Sequence, residues 1–183
     1  MRRLVVLALP FLAVVPLVPS ISAQIFKWRE PTFQAPLEAG LPLTIRVDPY
    51  GSGEFGARRS GGRHHRGIDL SAPLGADVLA SKSGIASVGQ LKNGMGRYVE
   101  IRHPDGWMTL YGHLKRINIR HGQRVRRGDP IGAVGKSGNA RRRLIRPHLH
   151  FEVWSNQGEP VDPLPLLETD GQTSSQEGDL SHG

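Results

Sequence analysis

Two histidines near residue 150 have the spacing of metal ligands on a β-strand. His148 and His150 lie two residues apart, and the residues between and after them are apolar: Leu149, Phe151 and Val153. On a strand, successive side chains point to opposite faces, so both imidazoles would share one face. The segment therefore predicts a strand with one apolar face and one face that is not ordinary hydrophobic core.

A second pair of potential ligands, His65 and Asp69, lies upstream. A separation of four residues keeps both side chains on one face in a helix or a strand. Gly67 leaves that face open, and the segment 70–73, which ends in proline, argues against a helix. Two imidazoles and one carboxylate are a common ligand set for a catalytic zinc ion, which keeps a fourth position for water. The residues therefore predict a hydrolase with one Zn²⁺ per chain, although other divalent ions also occupy such sites.

Short strands must position these residues. Between about 41 and 163, glycines interrupt the chain frequently and no long stretch has helical period. The predicted strands are 78–80, 84–88, 98–102, 107–113, 130–134 and 148–154. In the fourth of these, alternation would place Tyr111 and His113 together on the face away from Leu110. The pattern predicts an all-β fold: a compact, largely antiparallel β-sheet domain with a metal-containing cleft.

The first 23 residues have the organisation of a secretory signal peptide. Arg2 and Arg3 precede an uncharged run, 4–22, which is followed by Ala23. We expect cleavage after Ala23, and an uncleaved membrane anchor is the alternative. Three prolines within the run disfavour a stable membrane-spanning helix. The expected location is therefore outside the cytoplasm, in the periplasm or cell envelope, with no stable membrane span after cleavage.

The remaining chain divides into three segments. We expect a short lead-in with little core at 24–40, the catalytic domain at 41–168, and a disordered, flexible polar tail at 169–183. The lead-in is too short for an inhibitory coiled coil, but a strand-like plug across the cleft is an alternative role for it. The chain has no cysteine, which excludes disulfides and a cysteine ligand or nucleophile. We expect a monomer.

The chain is strongly basic. Without Arg2 and Arg3, 22 basic side chains face 16 acidic ones, a net charge of about +6 with neutral histidines. Such a charge favours polyanionic surfaces. No recognition helix or aromatic-basic interleaving accompanies it, so we expect no nucleic-acid partner. An anionic cell wall or membrane surface is the better interpretation for an exported protein.

Taken in order, several segments of 48–163 resemble the lysostaphin-type (LytM-type) zinc endopeptidases, which cut peptide cross-links in peptidoglycan. The segments are His65-Arg66-Gly67-Ile68-Asp69-Leu70, Ser71-Ala72-Pro73-Leu74-Gly75, Tyr111-Gly112-His113-Leu114 and Pro147-His148-Leu149-His150-Phe151-Glu152. One such motif alone would be weak evidence. Four motifs in the family's order and approximate spacing are specific evidence for the resemblance.

The resemblance implies a role for each of five residues. His65, Asp69 and His150 would bind zinc, while His113 and His148 would flank the attacking water without binding the metal. We assign the general-base role to His148 and transition-state stabilisation to His113. The reverse assignment stays open, because a sequence gives no distances. The resemblance also implies an all-β architecture similar to the duplicated hybrid motif.

Two further features are candidates for substrate contact. Tyr111 shares the predicted face of His113 and could donate a hydrogen bond to the oxyanion, or it could simply pack within the sheet. The loop between Gly138 and Pro147 is longer and more basic than the short turn of many family members. We expect its arginines on the cleft rim, where they would bind substrate carboxylates or anionic wall polymers: Arg141, Arg142, Arg143 and Arg146.

The leading function is an exported zinc endopeptidase that hydrolyses peptide cross-links of bacterial peptidoglycan. The alternative is a non-catalytic LytM-like regulator, which would bind another cell-wall hydrolase as its protein partner and activate it. Degenerate members of that class have lost metal residues, whereas all five positions are occupied here. The bond that is cut and the mode of regulation are not encoded in a recognisable pattern.

Overall fold

The computed structural model describes residues 29–168, which form short strands and a few turns of 3-10 helix. The strands are β1 (Val47–Asp48), β2 (Gly51–Ser52), β3 (Ile68–Ser71), β4 (Asp77–Leu79), β5 (Gly84–Gln90), β6 (Arg97–Arg102), β7 (Met108–Gly112), β8 (Arg116–Ile117), β9 (Arg124–Val125), β10 (Pro130–Ala133), β11 (His148–Trp154) and β12 (Pro160–Val161). The 3-10 helices are η1 (Ser60–Gly62), η2 (Gly138–Arg141) and η3 (Leu164–Leu166). The predicted all-β fold is confirmed.

Most strands belong to one antiparallel sheet. Its order is β12, β11, β7, β6, β5 and β9, and β3 also pairs with β11. β3 pairs with the first half of β11, from His148 to Phe151, and β12 pairs with its end, at Val153 and Trp154. β11 therefore lies between β7 on one side and both β3 and β12 on the other, which makes it a central strand.

A smaller antiparallel sheet completes the core. It has the order β4, β10 and β8, and a separate hairpin joins β1 to β2. Apolar side chains of both sheets form one buried cluster, to which the large sheet contributes Ile68, Leu70, Val99, Ile101, Leu149, Phe151 and Val153, and the small sheet contributes Val78 and Ile131. The core thus covers one face of the large sheet, and the other face is available for chemistry.

The alternation predicted for residues 148–154 holds along β11. Leu149, Phe151 and Val153 are fully buried in the core. His148, His150 and Glu152 therefore project from the opposite face.

The described part of the lead-in contributes more to the core than the sequence indicated. Phe33 and Leu37 are both 3% exposed and belong to the apolar cluster. Phe33 forms a parallel bridge with Leu167, and Leu37 forms an antiparallel bridge with Val78. The expectation of a lead-in with little core is therefore wrong for these two residues. The sequence signal was weak because the two side chains lie in a segment rich in proline and polar residues.

The predicted signal peptide, 1–23, and the predicted tail, 169–183, lie outside the described residues. Between residues 29 and 168 there is no helix with the length and apolar character needed to cross a membrane.

Candidate metal centre

The register of three strands brings the predicted ligands together. His150 on β11 lies opposite Asp69 on β3 and opposite Gly112 on β7. His65 is buried three residues before the start of β3. Gly67 allows this approach, because a Cβ atom there would lie 2.1 Å from the Phe151 carbonyl oxygen. The glycine is thus required by close packing against β11, in addition to leaving the ligand face open.

Three donor atoms form a nearly equilateral triangle. His65 Nε2 lies 3.0 Å from His150 Nδ1 and 3.1 Å from Asp69 Oδ1, and Asp69 Oδ1 lies 2.9 Å from His150 Nδ1. A tetrahedral zinc ion with bonds of about 2.0–2.1 Å holds its ligand atoms about 3.3–3.4 Å apart. A small opening of the triangle would therefore admit the ion. These three residues are the group that could hold a metal among residues 29–168.

The opposite nitrogen of each imidazole is occupied by a protein acceptor. His65 Nδ1–H donates to the Glu54 carbonyl at 2.8 Å, and His150 Nε2–H donates to Glu152 Oε1 at 2.9 Å. These bonds direct the lone pairs of His65 Nε2 and His150 Nδ1 toward Asp69 Oδ1. Each of the three atoms at the corners of the triangle carries a lone pair that points inward. Lone pairs at this distance repel one another unless a cation or a proton lies between them, so the residues fit a metal ion.

Two arginines hold the other oxygen of Asp69. Its Oδ2 accepts hydrogen bonds from Arg46 Nη2 at 2.9 Å and from Arg59 Nη2 at 3.3 Å. Burial by itself would raise the pKa of Asp69, but hydrogen bonds from His150 and His65 outweigh burial and hold the pKa well below its usual range. Asp69 is therefore ionised and oriented, with Oδ1 directed at the two imidazoles.

The surroundings of His150 favour a positive charge. Burial lowers the pKa of His150, but hydrogen bonds to Asp69 and Glu152 outweigh burial and raise it to about 9. The two carboxylates that stabilise a proton on this ring would also stabilise a metal cation, which takes the proton's place at Nδ1.

His113 and His148 face the triangle without belonging to it. Their ring centroids are 4.8 Å apart, and the centroid of His113 is 5.8 Å from that of His150. His148 Nε2 lies 4.0 Å from Asp69 Oδ1. Each ring donates its Nδ1–H to a backbone carbonyl: His113 to Ser137 at 2.9 Å and His148 to Arg146 at 2.7 Å. Both rings therefore present an unprotonated Nε2 to the cleft.

Burial keeps these two imidazoles neutral. It lowers the pKa of His113 to about 3, and neighbouring His150 and His148 add to the effect. It also lowers the pKa of His148, although Asp69 partly counteracts it. At neutral pH both rings are bases, ready to accept a proton at Nε2.

His113 reaches the cleft by a route that the sequence pattern did not predict. Its φ is +60°, the only positive value for a non-glycine residue between residues 29 and 168. Alternation along β7 ends at this point, so His113 joins the face of His150 while Tyr111 stays on the core face opposite Phe151. The Met95 carbonyl accepts the His113 backbone N–H at 2.7 Å and stabilises the strained turn.

The prediction that Tyr111 could donate a hydrogen bond to the oxyanion is wrong. Tyr111 is fully buried, and its ring packs 5.3 Å from that of Phe151. The hydroxyl accepts the Ser81 backbone N–H at 2.8 Å and lies 3.0 Å from Thr109 Oγ1. The alternative interpretation, a tyrosine packed within the sheet, describes what is observed.

The four arginines of the basic loop have different surroundings. The Arg141 guanidinium donates to the Asn93 side chain at 3.1 Å, and the Arg142 guanidinium lies 5.4 Å from the centre of the Tyr50 ring. Arg143 is exposed. Arg146 contributes its backbone carbonyl to His148, while its own side chain is exposed. The loop thus lies beside the site, and its substrate contacts remain a prediction.

Several supporting residues were not found by sequence reasoning. Arg46, Arg59 and the carbonyl oxygens of Glu54 and Ser137 contact the site, and sequence reasoning assigned a role to none of them. No local pattern marks them, since each acts across the fold.

The comparison with known families decides the identity of the domain. The model of peptidase family M23 matches residues 63–163, more than half of the chain, and this span contains all five histidine and aspartate residues of the site. The chain belongs to peptidase family M23. The resemblance inferred from the motifs is therefore confirmed.

Three proteins to which the chain is similar are larger than the matched region. DD-carboxypeptidase/endopeptidase Mpg of Neisseria meningitidis is 44% identical over 104 residues, 57% of this chain and 23% of Mpg. The Lipoprotein NlpD/LppB homolog of Pseudomonas aeruginosa is 38% identical over 133 residues, 72% of this chain and 43% of the lipoprotein. A crystal structure of a zinc containing peptidase from Vibrio cholerae has a TM-score of 0.59 and 33% identity, over 74% of this chain and 40% of that chain. The chain therefore spans less than half the length of each of these three proteins.

Proposed function

We propose that this M23 domain is an exported zinc endopeptidase that hydrolyses peptide cross-links of bacterial peptidoglycan. The observation that carries the proposal is the convergence of two imidazoles and one carboxylate, whose ligand atoms lie 2.9–3.1 Å apart, with two further neutral imidazoles facing them. Family membership supports the substrate class, because LytM-type members of this kind act on peptidoglycan. The predicted signal peptide supports export to that substrate.

His65, Asp69 and His150 would hold one zinc ion. When bound, zinc would polarise the scissile carbonyl and lower the pKa of water at its open position. Arg46 and Arg59 fix Asp69 by hydrogen bonds to Oδ2, so that Oδ1 stays directed at the ion. Glu152 fixes the ring of His150 in the same way.

His148 and His113 would act as the general acid–base groups of the reaction. His148 Nε2 accepts the proton of the attacking water, and the nearby Asp69 carboxylate, 4.0 Å away, stabilises the resulting imidazolium. His113, whose ring centroid lies 4.8 Å from that of His148, would share this proton at its Nε2 and so stabilise the tetrahedral transition state. The proton would then pass to the leaving amine, which returns both imidazoles to their neutral form. The Arg146 and Ser137 carbonyls hold the Nδ1–H of each ring throughout, which prevents the rings from rotating.

Metal removal tests the proposal. The purified protein should release new peptide ends from peptidoglycan, and mass spectrometry of the fragments would name the bond. A chelator should abolish release, and one equivalent of zinc should restore it. Unchanged release in the presence of a strong chelator would contradict a metal-dependent mechanism.

A second candidate is a regulatory role without catalysis, in which the domain binds and activates another cell-wall hydrolase. The observation that favours it is the 38% identity to the Lipoprotein NlpD/LppB homolog, whose name does not describe an enzyme. A folded, zinc-loaded protein that releases no peptide ends but accelerates a co-purified wall hydrolase would support this role. The complete set of five site residues favours the enzyme.

A further inference from the structure

A cationic cavity lies beside the candidate metal centre. It has a volume of about 450 Å³ and lies between the turn that joins β5 to β6 and the helix η2. Lys92, Arg97 and Arg141 contribute to its lining, and among the described residues that line it there is no carboxylate. The sequence analysis identified only Arg141 of these three.

Ser137 forms a wall between this cavity and the catalytic cleft. It lines the cavity, and its carbonyl oxygen accepts the Nδ1–H of His113 at 2.9 Å. Its hydroxyl accepts the backbone N–H of Arg97 at 2.9 Å. The cavity and the cleft are therefore neighbours, joined through the contact between Ser137 and His113.

Both arginines of the cavity have neutral protein partners. Arg97 Nη1 donates to the Lys115 carbonyl at 2.5 Å, and Arg141 Nη2 donates to the Asn93 side-chain oxygen at 3.1 Å. In the part of the chain that the structure describes, no carboxylate forms an ion pair with Lys92, Arg97 or Arg141. Their charge is uncompensated, so an anionic ligand would gain from every one of them.

Backbone contacts hold the walls of the cavity together. Its walls meet at Gly138, whose φ is +63° and where a Cβ atom would lie 2.3 Å from the Gly94 carbonyl oxygen. That carbonyl also accepts the backbone N–H of Asn139 at 2.9 Å. The two loops are thus in direct backbone contact, and binding would require little loop ordering.

We propose that this cavity binds a free carboxylate of the peptide that occupies the zinc cleft, on the His113 side. The inference rests on the proposed function and adds to it a preference for substrates that carry a carboxylate at this position. Arg97 and Arg141 pair with the carboxylate oxygens, and Lys92 adds its charge. A peptide is favoured over a wall polyanion because the cavity is small and shares a wall with a catalytic histidine, whereas a polyanion needs an extended basic track.

The test compares soluble peptidoglycan fragments with the same fragments after their carboxylates are converted to amides. The variant combines Arg97→Gln with Arg141→Gln, both at exposed positions, so that folding is retained. The control combines Arg120→Gln with Arg126→Gln, which removes the same charge at exposed positions outside the cavity. KM and kcat are measured, and binding is measured separately in a His148→Ala background, where no turnover is needed.

The wild type should favour the free-carboxylate fragments about tenfold in KM and in dissociation constant, with kcat little changed. The double variant should lose this preference, and the control should keep it. A double variant with the full preference overturns the proposal. Binding of polyphosphate to the same proteins is measured in parallel. A double variant that loses only its affinity for polyphosphate also overturns the proposal, because the cavity would then bind polyanions. Carboxylate-dependent binding without cleavage by any of the proteins would support the cavity and count against the endopeptidase.

Discussion

Each donor atom of the metal centre is fixed by a hydrogen bond on the far side of the same group. His150 shows this most fully: Glu152 accepts from its Nε2–H at 2.9 Å and is itself held by the Trp154 indole N–H at 2.7 Å. The chain of contacts leaves His150 one orientation, with Nδ1 toward Asp69. Metal affinity therefore depends on residues that never touch the metal.

Glu152→Gln tests this dependence. The amide keeps the shape of the carboxylate but removes the negative charge that makes the His150 ring a strong ligand. We expect zinc affinity to fall about 10–100-fold, measured by competition with a chromogenic chelator. Glu100→Gln, which removes a carboxylate paired with exposed Arg102, should leave the affinity unchanged. Equal affinities in the Glu152 variant and the wild type would show that the ring is held by other contacts.

Tyr111→Phe tests the assignment of Tyr111 to the core. The variant leaves the buried Ser81 N–H without its acceptor, so the free energy of unfolding should fall by about 1–3 kcal/mol in urea titrations. Peptidoglycan hydrolysis by the folded protein should keep its kcat, because the hydroxyl lies on the core face of the sheet. A large loss of kcat with unchanged stability would instead support a hydrogen bond from Tyr111 to the oxyanion.

Among the strands, β11 was the most predictable from the sequence. Strict alternation of His148 and His150 with apolar residues identifies both faces of this strand. The glycine-containing turns between strands predict the ends of β5, β6, β7 and β10 to within one or two residues. The alternation failed at the end of β7, where the positive φ of His113 turns the side chain to the other face. This conformation is imposed by the Met95 and Ser137 carbonyls, which lie 18 and 24 residues away in the chain.

Contacts between distant segments were beyond sequence reasoning. Arg46 and Arg59 bind Asp69 from positions 23 and 10 residues away, and neither arginine could be assigned this role from the sequence. The cavity lined by Lys92 and Arg97 was equally invisible, because a β-hairpin turn meets helix η2 only in the folded chain. Local patterns predict strands and motif residues, while the residues that orient them depend on register and packing.

The lead-in segment should behave as part of the domain. Phe33 packs its ring 5.6 Å from that of Trp107 and belongs to the core cluster. Phe33→Ala should lower the free energy of unfolding by about 3–5 kcal/mol in urea titrations, because it leaves a cavity in the core. Leu74→Ala, at an exposed apolar position, should have little effect.

Deletion of everything before residue 41 should likewise destabilise the protein, because it removes both Phe33 and Leu37 from the core. Sharply increased activity with unchanged stability would instead indicate that the lead-in blocks the cleft as a plug.

For the whole molecule, acid stability should depend on His103. Burial lowers its pKa to about 4, well below its usual value of 6.5, while its ring nitrogens contact the Ser83 carbonyl and Thr109 Oγ1. The unfolded chain binds a proton below about pH 6.5 and the folded chain does not until about pH 4. The contribution of His103 to the free energy of unfolding is therefore lost progressively as pH falls through this window, and it amounts to about 3 kcal/mol.

The measurement is urea unfolding between pH 7 and pH 4 for the wild type, His103→Gln and His121→Asn. His103→Gln should lose the His103 part of the pH dependence, and exposed His121→Asn should keep it. Parallel curves for all three proteins would assign the acid sensitivity to other groups.

The most direct test of the central claim is the rate of peptide-end release from purified peptidoglycan by zinc-loaded wild type and His148→Ala, with zinc content measured on the same samples. The account predicts release by the wild type, a loss of at least about 100-fold in the variant, and one zinc per chain in both, because His148 faces the metal site without being a ligand. Equal rates in the two proteins, or loss of zinc from the variant, would contradict it.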